Sequence, residues 1–240
     1  MNILAIGAHP DDIEISCGGT LAKYAKLGHK VFTATATNGN VGSATLPMEQ
    51  IAAVRKEEAR RAAAVIGAEY ICLDYDDEMF FEDRAARIAF IDLVRYCKAD
   101  IILTHNPEDY NPDHELTSKI INDIAVMIPV AKIETRNKPY DKIPIIAYFE
   151  STNGLGFVPT EYVDITETME LKMAMCREHK SQVQWMQDNY KDAIGNEKRD
   201  FLEDYYTVAR YRGIQCGVKY AEGFRMANDA FRVVPYRVLP

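Results

Sequence analysis

Through the first 126 residues, short apolar runs alternate with segments of helical periodicity, and this rhythm restricts the fold more than any other feature of the chain. Residues 2–8, 30–37, 70–73 and 100–104 read as strands, rich in aliphatic or β-branched side chains. Between and after them, residues 20–27, 49–66, 84–96 and 115–126 read as helices. Strands separated by helix-length segments pair in parallel, because a parallel pair needs a long crossover where an antiparallel pair needs only a turn. The alternation therefore predicts an α/β fold: a mostly parallel sheet with helices on both faces.

The second half is less regular. Residues 145–149 and 161–165 suggest strands, 167–190 and 199–212 suggest helices, and the proline-interrupted stretch 130–144 suggests a surface loop. No Pro/Gly/Ser-rich linker, internal repeat or low-complexity tract divides the chain, so a single domain over residues 1–240 is the simplest organisation. With 48% hydrophobic residues in 240, such a domain can bury one substantial core.

Charge excludes some partners. The formal net charge is −8, and no Lys/Arg cluster stands clear of acidic neighbours, which argues against nucleic acid. No apolar run approaches bilayer-spanning length, and the opening MNILAIGAHPDD has neither a basic n-region nor an apolar h-region. A cytoplasmic protein with no membrane partner is expected. Cys17, Cys72, Cys97, Cys176 and Cys216 are scattered and odd in number, with no CxxC pair. That pattern supports neither a disulfide framework nor a Cys-rich zinc site. Most read as core residues, with Cys17 left open by its nearness to the first polar cluster.

Ligands of open α/β sheets gather outside the carboxyl ends of strands. Two polar clusters stand there. After the first strand comes Ala8-His9-Pro10-Asp11-Asp12, in which His9 offers a nitrogen ligand and Asp12 a carboxylate, with Asp11 free beside them. In isolation the motif suits equally a polar turn with Asp12 capping the next helix. After the fourth strand comes THNPEDYNPDH, residues 104–114. Here His114 is the natural third ligand, since a catalytic zinc takes three protein ligands and keeps one open position. Asp113 can hydrogen-bond a neighbouring group, Asp109 can support either the loop or a ligand, and His105 suits a buried, hydrogen-bonded role. Cys17-Gly18-Gly19-Thr20 suits a close backbone approach at a helix start, holding an anionic group or simply packing tightly. It is not a dinucleotide fingerprint, because GxGxxG is absent, and this disfavours a nucleotide-binding module.

The stretches AHPDDIEISCGGTLA, RKEEARRAAAVIG, THNPEDYNPDHELTS, HKSQ and GVKYAEGFR together resemble the LmbE-like, or PIG-L-like, N-acetylglucosaminyl deacetylases, with a bacterial-type ending. The resemblance runs from residue 4 to about residue 225. It implies a Rossmann-like fold and a Zn2+ held by His9, Asp12 and His114, although two His and one Asp also suit Fe2+. It implies that Asp11 is the general base and that Arg55 and Asp77 bind the sugar. From the residues alone, Arg55 would pair with Glu58 three residues on. It implies a small 2-acetamido sugar as substrate and allows a homo-oligomer, trimer or hexamer.

The chain departs from the family pattern at Asn111, where many members carry His, and around Asp77, where LDYDDEM lacks a diagnostic glycine. Asn111 can donate a hydrogen bond to an oxyanion but cannot act as an acid. The catalytic group expected from the resemblance is thus Asp11, Asn111 and Asp113. HKSQ, residues 179–182, reads as mainly structural, and Trp185 and the tyrosines suit core packing or a sugar groove. Competing functions are an amidase acting on a non-sugar or thiol-conjugate amide, and a zinc-binding protein of low activity.

Overall fold

The computed structural model describes residues 1–151, 153–189, 200–228 and 233–240. Its elements are β1 (Asn2–Gly7), α1 (Asp12–Lys26), β2 (Lys30–Thr37), α2 (Met48–Val65), β3 (Glu69–Tyr75), α3 (Arg84–Cys97), β4 (Ile101–His105), α4 (Pro112–Ile124), β5 (Ile145–Phe149), β6 (Glu161–Asp164), α5 (Met169–Glu178), α6 (Lys180–Asn189), α7 (Phe201–Cys216) and β7 (Ala221–Met226). The strands form one sheet in the order β3-β2-β1-β4-β5-β7-β6. The first five pair in parallel, and β7 runs antiparallel to both β5 and β6.

The central strands are buried on both faces, which is why their sequences are near-continuous apolar runs rather than alternations. Leu4 and Ile6 of β1 point to a core shared with Phe90 and Val94 of α3 and Ile120 and Ile124 of α4. Ile3 and Ala5 point the other way, to Leu21 of α1, Met173 of α5 and Ala209 of α7. Helices thus cover both faces, as the alternation predicts. The chain moves outward from β1 through β2 to β3, then returns to place β4 on the other side of β1. That reversal opens a crevice at the carboxyl ends of β1 and β4.

Three elements differ from the sequence reading, each because a distant part of the chain intervenes. Helix α1 begins at Asp12 rather than residue 20 and breaks at Cys17, whose φ is −141°. Beyond the break, Glu222 of β7 accepts from the Gly19 N–H at 3.0 Å, the Thr20 N–H at 2.7 Å and the Thr20 hydroxyl at 2.6 Å. Lys172 Nζ lies 2.6 Å from the same carboxylate. The CGGT motif therefore does both things it suits: it holds an anionic group, one supplied by this chain, and it packs tightly. A Cβ at Gly19 would meet Ile165 atoms at 2.8 Å. Cys17 is fully buried in the core.

The segment expected as one helix over 167–190 is divided at His179 into α5 and α6. Glu58 accepts from the Ser181 N–H at 2.8 Å and its hydroxyl at 2.6 Å, so a carboxylate from α2 caps the second piece. Residues 190 and 199, the outer ends of two expected helices, lie outside the described residues. Strand β7 carries Glu, Gly and Arg in AEGFRM and has no strand periodicity; it forms because β5 and β6 flank it. No helix among the described residues is long and apolar enough to cross a membrane.

Candidate metal centre and active site

Strand β1 ends at Gly7 and delivers residues 8–12 to the crevice. Asp11 adopts φ 126°, a strained backbone for a residue with a side chain. It is held there by Arg55, whose Nη2 donates to Pro10 O at 2.8 Å and lies 3.4 Å from Asp11 Oδ1. The His9 N–H donates to Asp12 Oδ2 at 2.7 Å. Across the crevice, β4 ends at His105 and the chain loops to α4. Asn111 caps that helix, its Oδ1 accepting from the Asp113 N–H at 2.8 Å and the His114 N–H at 3.4 Å. Pro112 at the first position suits a helix start, where no N–H is needed. His114 therefore sits in the first turn, facing back toward β1.

His114 is oriented from two sides. Its Nδ1 lies 2.9 Å from Asp109 Oδ1, and the Ser151 hydroxyl donates to the other Asp109 oxygen. Its ring stacks on that of His105, with centroids 3.9 Å apart and planes 14° from parallel. The Asp109 bond takes the Nδ1 proton and leaves the Nε2 lone pair free. His9 turns its Nε2 toward Asp77 Oδ1, 2.9 Å away but outside hydrogen-bond geometry, and its Nδ1 toward the crevice.

The free atoms converge. His9 Nδ1 lies 3.2 Å from His114 Nε2. Asp12 Oδ2 is 3.5 Å from the first and Asp12 Oδ1 is 3.4 Å from the second. Facing lone pairs and a carboxylate at these separations repel unless a cation or proton lies among them. Four ligands at about 2.0–2.2 Å from a tetrahedral zinc stand about 3.3–3.6 Å from one another. The donor set and its spacing fit such an ion, and His9, Asp12 and His114 form a group able to hold one. Of the two other groups close enough among the described residues, His105, Asp109 and His114 would use the Asp109 carboxylate that already orients His114, and His9, Asp77 and Glu78 would use the Asp77 carboxylate that faces His9 Nε2.

Protonation follows the same logic. Burial disfavours charge on His114, yet Asp12 and Asp109 outweigh it and lift the imidazole to about 9. Burial, with His114 adding to it, pushes His105 down to about 4, so this ring is neutral. Burial raises the Asp11 carboxyl to about 6 against the pull of Arg55. Asp12 is held well below the usual carboxylate range, because three surrounding histidines overcome its burial.

A cavity of about 800 Å³ opens over this group. Its lining includes all of the expected site residues except Asp113, which is buried just behind. Arg55 does not pair with Glu58; its guanidinium points into the site, 3.7 Å from Asp77 Oδ2. Asp77 is buried between His9 and Arg55. Asp113 accepts from the Glu78 N–H at 2.9 Å and lies 3.6 Å from His9 Nε2. Asn111 is committed in part, capping α4 and donating to Glu78 Oε1 at 3.2 Å. Trp185 and Tyr110 line the cavity and are substantially exposed. Ser151 was not picked out from the sequence. The signal available was its place two residues beyond the end of β5, a third strand end beside the same crevice.

A family model described as GlcNAc-PI de-N-acetylase (PIG-L) matches residues 4–125. The diacetylchitobiose deacetylase of Thermococcus kodakarensis is 27% identical over 95% of this chain and 84% of its own. The solved N,N'-diacetylchitobiose deacetylase from Pyrococcus horikoshii superposes with a TM-score of 0.77 at 28% identity, covering 94% of this chain and 83% of that one. A 4-oxalmesaconate hydratase of Pseudomonas putida is 23% identical over 92% of this chain and 87% of its own.

Proposed function

Because the chain belongs to the GlcNAc-PI de-N-acetylase (PIG-L) family, we propose that it is a metal-dependent hydrolase removing the N-acetyl group from a 2-acetamido sugar. The metal is zinc, with His9, Asp12 and His114 as its ligands. The observation that carries the reading is the convergence of those three donors beside the raised carboxyl of Asp11, under one cavity.

Bound there, the metal supplies Lewis acidity, polarising the amide carbonyl and making water more acidic. The chain's own residues do the rest. Asp11 accepts a proton from the attacking water as its oxygen bonds to the carbonyl carbon. It then gives that proton to the nitrogen as the C–N bond breaks, leaving acetate and a free amine. A carboxyl near 6 is matched to this double duty at neutral pH. Arg55 holds the base in its strained conformation and, with Asp77, meets sugar hydroxyls. The second N–H of Asn111 is available to the developing oxyanion, and Asp113 fixes the loop behind His9.

The hydratase relative suggests addition of water to an unsaturated acid. Asp11, Asp12, Asp77 and Glu78 face the same cavity, and with Arg55 and a divalent metal bound the carboxylates still outnumber the positive charges, which leaves no surplus for an anionic substrate and favours a neutral sugar. The test is to incubate zinc-loaded protein with N-acetylglucosamine, N,N'-diacetylchitobiose and an unsaturated oxo-diacid. Acetate and amine released in equal amounts from a sugar support the proposal. Hydration of the diacid with no acetate from either sugar would overturn it.

A further inference from the structure

We propose that Glu78 is a substrate-binding residue, held by Asn111 so that its carboxylate receives the 3-hydroxyl of the acetamido sugar. The inference rests on the deacetylase reading above. Glu78 has φ 63°, a left-handed conformation that glycine adopts freely and a side chain does not. Nothing in the core requires a glutamate there: the side chain is exposed and lines the cavity. Of the carboxylates lining that cavity among the described residues, it alone is exposed; Asp11 and Asp77 are buried and Asp12 nearly so.

Both ends of the residue are fixed. Its N–H donates to Asp113 at 2.9 Å, and its Oε1 accepts from Asn111 Nδ2 at 3.2 Å. The bond to Asn111 orients the carboxylate and leaves Oε2 for a donor from outside. Carboxylate oxygens of Glu78 and Asp77 and a ring nitrogen of His9 lie within 4.8 Å of one another. A sugar whose acetamido group sits over His9 therefore brings only the ring positions beside the amide-bearing carbon within reach of Glu78. Of these two, position 1 of a conjugate carries a glycosidic oxygen with no proton to give, so the 3-hydroxyl is the donor. The two places where the chain departs from its family pattern, Asn111 and the segment around Asp77, thus touch and act on one substrate group.

The test compares wild type with Glu78→Gly, Glu78→Gln and Asn111→Asp, on N-acetylglucosamine and on its analogue lacking the 3-hydroxyl. Glu78→Gly relieves the backbone, so its Tm should stay level or rise. Its KM for the full sugar should rise about 10- to 100-fold with kcat largely kept, the signature of a lost charge-assisted hydrogen bond. Glu78→Gln should lose less. Asn111→Asp keeps an oxygen to cap α4 but turns a negative charge on Glu78, and should raise KM as well, with a fall in kcat on both sugars from the lost oxyanion donor. On the 3-deoxy analogue, wild type and Glu78→Gly should be alike. Unchanged KM in Glu78→Gly, an equal loss on both sugars, or a lower Tm with kcat and KM failing together would overturn the assignment. A wild type that releases no acetate from either sugar would overturn the deacetylase reading itself, and this proposal with it.

Discussion

Replacing Asp109 should weaken metal binding although the residue is not itself a proposed ligand. Its side chain is fully buried, with one oxygen 2.9 Å from His114 Nδ1 and the other receiving the Ser151 hydroxyl. This pair fixes the imidazole's tautomer and direction. Asp109→Ala leaves the Nδ1–H buried without an acceptor and frees the ring to turn, so Nε2 is no longer aimed at His9 and Asp12. Partners of this kind are typically worth 10–100-fold in metal affinity, or about 1.4–2.8 kcal/mol. Asp109→Asn keeps an acceptor oxygen but loses the charge and should fall near the lower figure.

Proton competition partly masks the effect at neutral pH. His114 is lifted to about 9, so the metal must displace its proton, and removing Asp109 also removes part of that lift. The full loss should therefore emerge near pH 9. The assay is zinc competition against a chromophoric chelator at pH 7 and pH 9, with circular dichroism to verify the fold. Equal zinc affinity in wild type and Asp109→Ala at pH 9 would refute the argument that His114 is a ligand oriented by Asp109.

Further outcomes follow from the same geometry. Asp11→Asn should lower acetate release by at least about 100-fold while zinc still binds at one ion per chain, as metal analysis would read. The rate should fall with acid, because only the ionised Asp11 accepts a proton: below its carboxyl value kcat/KM drops tenfold per pH unit. The apo value is about 6, and the metal's charge draws the limb lower, so a pH profile should bend at or below 6. Gly19→Ala should destabilise by about 1–3 kcal/mol, since its Cβ would press on Ile165 at 2.8 Å, with KM unaffected once folded. Thermal melts and kinetics of one preparation measure both.

The parallel half of the sheet was legible because its signal is local: buried strands such as NILAIG are apolar throughout, and the helices between them are long enough to show their period. The end of β1 and the end of β4 were legible for the same reason, as strand ends rich in His and Asp. What escaped depends on partners far along the chain. The break in α1 comes from Glu222, some 200 residues away, and the start of α6 from Glu58. Strand β7 has no pattern of its own. In the site, the pairing of Asp109 with Ser151 and of Glu78 with Asn111 joins loops that no spacing rule connects. The Arg55–Glu58 spacing is right for an ion pair, yet each group is captured by a partner elsewhere.

The most direct test of the central claim is a metal titration read by catalysis. Chelator-stripped protein is titrated with zinc, and acetate release from the best acetamido sugar is followed alongside a parallel His114→Ala sample. Metal-dependent hydrolysis at this site predicts no release from stripped protein, a linear rise breaking at one zinc per chain, and almost none from His114→Ala. Release that persists in stripped protein, or that is equal in His114→Ala, would contradict the account.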